Sequence, residues 1–390
     1  MPLLSRLVLH GCAKLLHSAM PVKCGGWQWQ KSCITLHGRA KNYENSSESV
    51  RLTVPRIRTG FSSAQQVADL AGVSRSAVSR TFTPGASVSG ETRERVMLAA
   101  EQLGYHVNHL ARGLMRASTG IVCLIVADGD TPYHARLQKA LTQHLRDAGK
   151  MAMVFNTSGP SHHVDQALRN TLNYRADASI VLSGSPPQLL IRTCLENGQR
   201  LVLINRDDRF DGPHNIGVDN AAAAEAALHA FIRAGCTRPA LVTSAAGTPS
   251  LLSRETAFLT AAQKEGLEVT VWREGRTGYA TGADGARRLF SGRQRPDAAF
   301  CVTDLIACGF LDAARHEFGI NVPRDLCVIG FDDIEQADWA SYRLTTFSPP
   351  IEEIARRAVR LATGAREEAG SRLICHAPMV WRSTVRPGQG

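Results

Sequence analysis

From Gly120 onward, short continuous apolar runs alternate with helical patterns, and this rhythm limits the fold more than any other feature of the chain. IVCLIVA (121–127), MAMVFNT (151–157), ASIVLSG (178–184) and RLVLIN (200–205) read as buried strands. A half-buried strand alternates apolar with polar residues; continuous apolar runs need cover on both faces, which parallel sheets flanked by helices supply. Between the runs lie amphipathic segments such as ARLQKALTQHLRDAG (135–149), which stops at Gly149. A second series starts near Ile216. It runs IGVD, an Ala-rich helix to Gly235, PALVTS, a helix over 251–265, VTVW, another helix, AAFCVT, a helix and LCVIGFDD. Two such series predict two doubly wound lobes, and ligands of these folds sit at the carboxyl ends of the strands, here in the cleft between lobes.

Candidate ligand contacts follow the strand ends. Tyr133 lies in DGDTPY after the first run, and Asn205 and Arg206 lie in INRDDR after the fourth. Arg254 in SRETAF and Asp304 in VTDLIACG add a donor fork and an acceptor pair, which suit vicinal hydroxyls or a carboxylate. Asp304 could equally cap the helix that follows it, and Asp332 and Asp333 in GFDD are as readily caps as contacts.

The N-terminal third differs. SAQQVADLAGVSRSAVSRTF (63–82) reads as two short helices joined at Gly72. Ser63 caps the first, with Gln66 completing a capping box; Val67, Ala68, Leu70 and Ala71 form its apolar side. Ser74 caps the second, which buries Val78 and leaves Arg75, Ser76, Ser79 and Arg80 outward. Arginines suit guanine edges and hydroxyls suit phosphate. A third helix begins after Ser89 and buries Val96, Ala99, Ala100 and Leu103. The segment 108–120 that follows is basic and weakly helical, the kind of element that orders on a partner.

Charge has the matching distribution. Of the net +10, residues 1–55 carry +5 and residues 56–120 carry +4, leaving +1 for the other 270. A basic third on a near-neutral body is the footprint of a phosphate-binding module. The ten cysteines stand singly, with no CxxC and no Cys/His set at zinc spacing, which fits a reducing cytoplasm and no metal or other cofactor. No run of about 18 apolar residues is present, so no membrane-spanning helix is expected. Residues 1–58 have no sustained period; Arg6 and Lys14 interrupt the apolar LLSRLVLHGCAKLLHSAM, which argues against a signal peptide. They are expected to be a poorly structured basic extension.

The blocks AGVSRSAVSR, VSGETRERV and LGYHVNHLARGLM resemble the N-terminal signature of the lactose-repressor (LacI/GalR-type) family of bacterial transcription regulators, and the likeness runs from about residue 61 to the end. It implies an all-α helix-turn-helix headpiece joined to a two-lobed α/β effector domain of the periplasmic-binding-protein type (type I), with parallel sheets. The implied organisation is 1–58 extension, 59–106 DNA-binding domain, 107–119 hinge helix or linker, and 120–390 effector and dimerisation domain. Lobe 1 is then about 120–217 with 347–375, and lobe 2 about 218–346 with 376–390. PMVWRST (378–384) resembles the family's C-terminal motif.

The resemblance also implies roles. Arg75, Ser76 and Arg80 would face base edges; Ser74, Ser79, Ser89, Thr92 and Asn108 would hold the phosphate backbone. Ala111 and Leu114 would enter the minor groove from the hinge. Arg254 and Asp304 match the family's effector-gripping arginine and aspartate, beside Tyr133, Asn205 and Arg206. The chain departs from the pattern at Gly113, which weakens a hinge helix by roughly 0.5–1 kcal/mol relative to Ala. It departs again at Pro349 in TTFSPP, where many members carry Gln.

The expected function is a sequence-specific regulator, a repressor, whose affinity for palindromic double-stranded operator DNA responds to a small polar effector such as a sugar or sugar acid. It would act as a homodimer or tetramer, in the cytoplasm on the nucleoid and away from membranes. A receptor-like metabolite binder without a transcriptional role is the alternative; it would carry a secretion signal and no helix-turn-helix. An enzyme is not expected, because GxSxG, a P-loop, HExxH and a suggestive Cys/His pair are all missing from the sequence.

Overall fold

A computed structural model describes residues 60–83, 85–108, 118–127, 131–157, 162–184, 186–206, 212–364 and 370–388. The expected extension 1–58 and the hinge residues Ala111, Gly113 and Leu114 lie outside them.

Three helices open the described chain: α1 (Ala64–Ala71), α2 (Arg75–Thr81) and α3 (Gly90–Leu103). Each starts on a serine in extended conformation whose hydroxyl accepts a backbone N–H in the first turn. At Ser63 the reciprocal Gln66 contact completes the capping box. Val67, Ala68, Ala71, Val78, Val96, Ala99 and Ala100 form their common core. Leu70 is half exposed instead. On a helix of 3.6 residues per turn it falls outside the arc that holds Val67, Ala68 and Ala71. Arg93 Nη1 donates to the Thr81 carbonyl at 3.0 Å and ties α3 to the end of α2.

The body begins with β1 (Ile121–Ala127), α4 (Pro132–Asp147), β2 (Met151–Thr157), α5 (His162–Asn173), β3 (Ala178–Val181), α6 (Gln188–Glu196), β4 (Arg200–Ile204) and β5 (His214–Val218). Then come α7 (Asn220–Arg233), β6 (Pro239–Thr243), α8 (Pro249–Lys264), β7 (Thr270–Arg273), α9 (Tyr279–Phe290), β8 (Ala298–Cys301), α10 (Asp304–His316) and β9 (Cys327–Ile329). The closing elements are α11 (Glu335–Asp338), β10 (Thr346–Phe347), α12 (Ile351–Thr363), β11 (Arg372–Cys375) and β12 (Met379–Val380).

The strands form a six-stranded parallel sheet ordered β11-β5-β4-β3-β1-β2 and a four-stranded parallel sheet ordered β7-β6-β8-β9. β10 and β12 pair antiparallel. In β1 the alternation survives beneath the apolar composition: Val122, Leu124 and Val126 join the main core, while Ile125 packs with Val164, Leu168 and Ile191 on the opposite side. Both faces are covered, so both can be apolar.

Two sequence expectations are corrected. MAMVFNT is a strand but not a buried one: β2 is the sheet edge, and Met151 and Val154 are exposed. IGVD does not open the second series, because β5 pairs with β4 on one side and β11 on the other and so completes the first sheet. Composition gives a strand its character but not its neighbours.

Between α9 and α10 the backbones nearly touch. A Cβ added at Gly309 would lie 1.9 Å from the Tyr279 carbonyl oxygen, and one at Gly282 would lie 1.9 Å from that of Ile306. These paired glycines let the two helices pack at backbone distance beside the strand ends that carry Asp304.

Candidate functional site

The helix-turn-helix presents one polar face. Val78 anchors α2 from below, and Arg75, Ser76, Ser79 and Arg80 are exposed on its other side. Ser74 Oγ accepts the Ala77 N–H at 3.2 Å and hydrogen-bonds to Ser76 Oγ at 2.8 Å, so the two hydroxyls are held together at the start of α2. On α3, Ser89 Oγ accepts the Thr92 N–H at 3.3 Å and donates to Thr92 Oγ1 at 2.8 Å. Asn108 is exposed at the end of this described segment. The start of a helix with free N–H groups is suited to an anion, and both α2 and α3 begin on exposed serines.

A second polar cluster is buried among the strand ends. Asn205 follows β4 in the left-handed region (φ 58°), and its Nδ2 donates to Tyr133 Oη at 3.0 Å. Burial pushes the Tyr133 phenol up to about 12. Arg206 is buried beside them, and burial lowers its guanidinium below the ordinary arginine value.

Arg254, on α8, is buried and richly held. Its Nε donates to Asn220 Oδ1 at 2.9 Å, its Nη1 donates to the Val302 carbonyl at 2.6 Å, and its guanidinium carbon lies 3.3 Å from the centroid of the Phe331 ring. A guanidinium over an aromatic face gains electrostatic attraction, most where water is excluded. Asp332 Oδ1 lies 4.0 Å from Arg254 Nη1. Burial lifts the Asp332 carboxyl to about 8, against the opposing pull of Arg254. The Tyr133 hydroxyl feels the charges of both Asp332 and Arg254, so the first and second sheets contribute to one site. Arg136 of α4 also donates to the Asp333 carbonyl, a direct tie between the two halves.

Asp304 is fully buried at the first turn of α10, but it is not the cap; Thr303 is, its hydroxyl accepting the Ile306 N–H. The Asp304 carboxylate instead accepts Thr346 Oγ1–H at 2.6 Å and the Ile334 N–H at 3.0 Å. Burial raises its carboxyl to about 7 despite these two donors. Gly330 makes room for it, since a Cβ there would lie 2.1 Å from Asp304 Oδ1.

Sequence reasoning missed the residues that organise these candidates. Asn220 and Phe331 hold Arg254. Thr346 and the Ile334 N–H hold Asp304. Arg382 Nη2 donates to Asp333 Oδ1 at 2.7 Å and Nη1 to the Leu344 carbonyl at 2.8 Å. GFDD and the closing WRS were visible as motifs; nothing marked Asn220. Asp332 (φ 115°) and Asp333 (φ 48°) join Asn205 as left-handed residues at this cluster, and strain of this kind concentrates at binding sites. Pro349 adds no donor where a glutamine would. Among the described residues no group of three or more His, Cys, Asp or Glu could hold a metal ion, and no helix is long and apolar enough to cross a membrane.

Residues 64–108 match the pattern of bacterial regulatory proteins of the lacI family, and residues 228–385 match a periplasmic binding protein-like domain. The helix-turn-helix segment is thus of the lacI type and the second half of the body of the periplasmic-binding type. The chain is 28% identical to the HTH-type transcriptional regulator AscG of Escherichia coli K12, covering 75% of this chain and 89% of the relative. It is also 28% identical to the E. coli K12 ribose operon repressor, over 76% of this chain and 90% of that one. In three dimensions it matches a Lac repressor dimer bound to operator and an anti-inducer, with a TM-score of 0.75 and 20% identity. That match covers 84% of this chain and all of the repressor chain. The relatives are transcription regulators rather than enzymes. The match is one of fold: a headpiece and a two-lobed parallel α/β body in one chain.

Proposed function

We propose that this chain is a sequence-specific DNA-binding repressor of the lacI family whose grip on a palindromic operator is set by a small polar metabolite, a sugar or sugar acid, held between the two sheets. The observation that carries it is the coexistence in one chain of an exposed Arg75–Arg80 face on a helix-turn-helix and a buried cluster of Arg254, Asp304, Asp332, Tyr133 and Asn205 at strand ends. In this reading Arg75, Ser76 and Arg80 meet base edges. Ser74, Ser79, Ser89, Thr92 and Asn108 meet phosphates, and Ala111 and Leu114 enter the minor groove. Relatives named for a ribose operon and for a lac operator support both halves of the reading. Palindromic operators match two-fold protein symmetry, which makes a homodimer the working species. It acts in the cytoplasm, on the nucleoid.

A duplex selected by the protein from a random-sequence library supplies the operator for the test. Arg75→Ala and Arg80→Ala are expected to weaken binding to it by about 1–3 kcal/mol each while sparing random duplex, by fluorescence anisotropy. Equal weakening on both duplexes would reduce these arginines to phosphate contacts. A thermal-shift screen of sugars, sugar acids and nucleosides then identifies the effector, because a ligand at 100 times its Kd adds about 2.7 kcal/mol of stability. The effector found must change operator affinity; a ligand that stabilises the protein and leaves operator binding untouched would favour a receptor-like role.

A further inference from the structure

Away from this site, two thiols share the same partners at the opposite ends of the second sheet's strands. Cys236 stands in the turn between α7 and β6, and Cys327 is the first residue of β9. The Asp297 carbonyl oxygen, one residue before β8, accepts both the Cys327 N–H at 2.9 Å and the Cys236 S–H at 3.5 Å. Arg386 spans the same two sulfurs. Its Nη2 donates to Cys236 Sγ at 2.9 Å and its backbone N–H to Cys327 Sγ at 3.4 Å. The rest of its guanidinium is fixed by the carbonyls of Ala234 (3.1 Å), Pro323 (2.9 Å) and Arg324 (2.9 Å). Cys327 is fully buried and Cys236 nearly so. Exposed Gly235 and Thr237 flank Cys236, and exposed Asp325 lies two residues before Cys327, so a local opening of the turn between α7 and β6 is the route for an oxidant.

We propose that Cys236 and Cys327 are an oxidisable dithiol, closed to a disulfide by peroxide-class oxidants under the Arg386 guanidinium. Thiols buried in apolar surroundings are inert, whereas a thiol beside a fixed cation is held closer to its reactive thiolate. When Cys327 ionises, the Cys236 S–H turns from the Asp297 carbonyl to the Cys327 sulfur; with the Arg386 N–H and charge this lowers the Cys327 thiol, and the same contact raises Cys236. Cys327 is therefore the attacking thiolate and Cys236 the resolving thiol. The Cys327 sulfur attacks one peroxide oxygen and breaks the O–O bond. This leaves a sulfenic acid on Cys327 and a hydroxide that takes up the proton Cys327 released, giving water. The Cys236 sulfur then attacks the Cys327 sulfur, the S–O bond breaks, and the departing hydroxide leaves with the Cys236 proton as a second water. Two thiols and one hydrogen peroxide give one disulfide and two waters. The bond would tie the α7–β6 turn to β9 where Arg386 already anchors the C-terminal segment.

The test treats the full-length protein with hydrogen peroxide, blocks remaining thiols, and maps a non-reducing digest by mass spectrometry. A cross-linked peptide pair holding Cys236 and Cys327 is expected, lighter by two hydrogens than its reduced parts. Dithiothreitol should abolish it, and Cys327→Ser should not form it. Arg386→Met should form it about fivefold more slowly at pH 7, because less of Cys327 is thiolate. Both thiols remaining open to alkylation after peroxide, or either one captured by a different cysteine, overturns the pairing on the wild-type map alone. An unchanged rate in Arg386→Met overturns the role given to that arginine.

Discussion

Asn in place of Asp304 keeps the side chain's size and removes its titration, which makes the burial of this carboxyl measurable. In the folded protein the group titrates at about 7, against an ordinary value of 3.8. A carboxyl raised on folding contributes stability that is complete below about pH 4 and is lost as the pH rises to about 7; above that the loss is constant. The slope in that window is about 1.4 kcal/mol per pH unit, and the whole loss is about 4 kcal/mol. Asn carries a different and pH-independent penalty. Thr346 Oγ1–H and the Ile334 N–H both donate to Asp304, and an amide accepts with only one of its two ends. One mismatched buried donor costs about 1–3 kcal/mol. Asp304→Asn should therefore be slightly less stable than the wild type at pH 5 and more stable at pH 8. The difference between the two should move by about 3 kcal/mol in favour of Asn. Asp332, raised to about 8, is raised in part by the Asp304 charge, so in the variant it rises less and the difference moves further in favour of Asn. Urea unfolding of both proteins at pH 5, 6, 7 and 8 gives the curve. Parallel profiles would mean that Asp304 is ionised throughout, and the account of its burial would fail.

Two further outcomes follow from the same geometry. Gly309→Ala gains about 1 kcal/mol of helix propensity. It also sets a Cβ 1.9 Å from the Tyr279 carbonyl, where only backbone can give way. Overpacking of this kind costs about 1–3 kcal/mol or more, so chemical denaturation should show net destabilisation, whereas Gly90→Ala, with open space around it, should not. Arg254→Met keeps an apolar chain against Phe331 but removes the donors to Asn220 and Val302. It should weaken the effector found by thermal shift by about 30-fold or more while leaving operator binding in the absence of effector within about threefold; full effector response in this variant would remove Arg254 from the pocket.

Much of the headpiece was legible because its rules are local. Ser63, Gln66, Ser74 and Ser89 are caps whose partners lie within three residues, so the sequence contains both ends of each interaction. Leu70 was misjudged for the complementary reason: three short helices decide together which arc is covered. In the body, strands and helices were legible from apolar continuity. The pairing of β5 with β11, brought together across more than 150 residues, was not. The effector candidates were visible as residue types after strand ends, but not the partners that fix them.

The sequence alone determined the alternation of elements, the caps, the outward arginines of α2 and the concentration of positive charge near the helix-turn-helix. Those properties follow from periodicity and from interactions between near neighbours in the chain. The tertiary structure decided that β2 is an edge, that Asp304 is sealed between Thr346 and Ile334, and that Arg254 lies on Phe331 beside Asp332. It also brought Cys236 to Cys327 beneath Arg386. Each of these depends on which surfaces are excluded from water and which distant groups then face one another. Burial is what shifts a carboxyl to about 7, and burial is a property of the packed chain rather than of any segment of it.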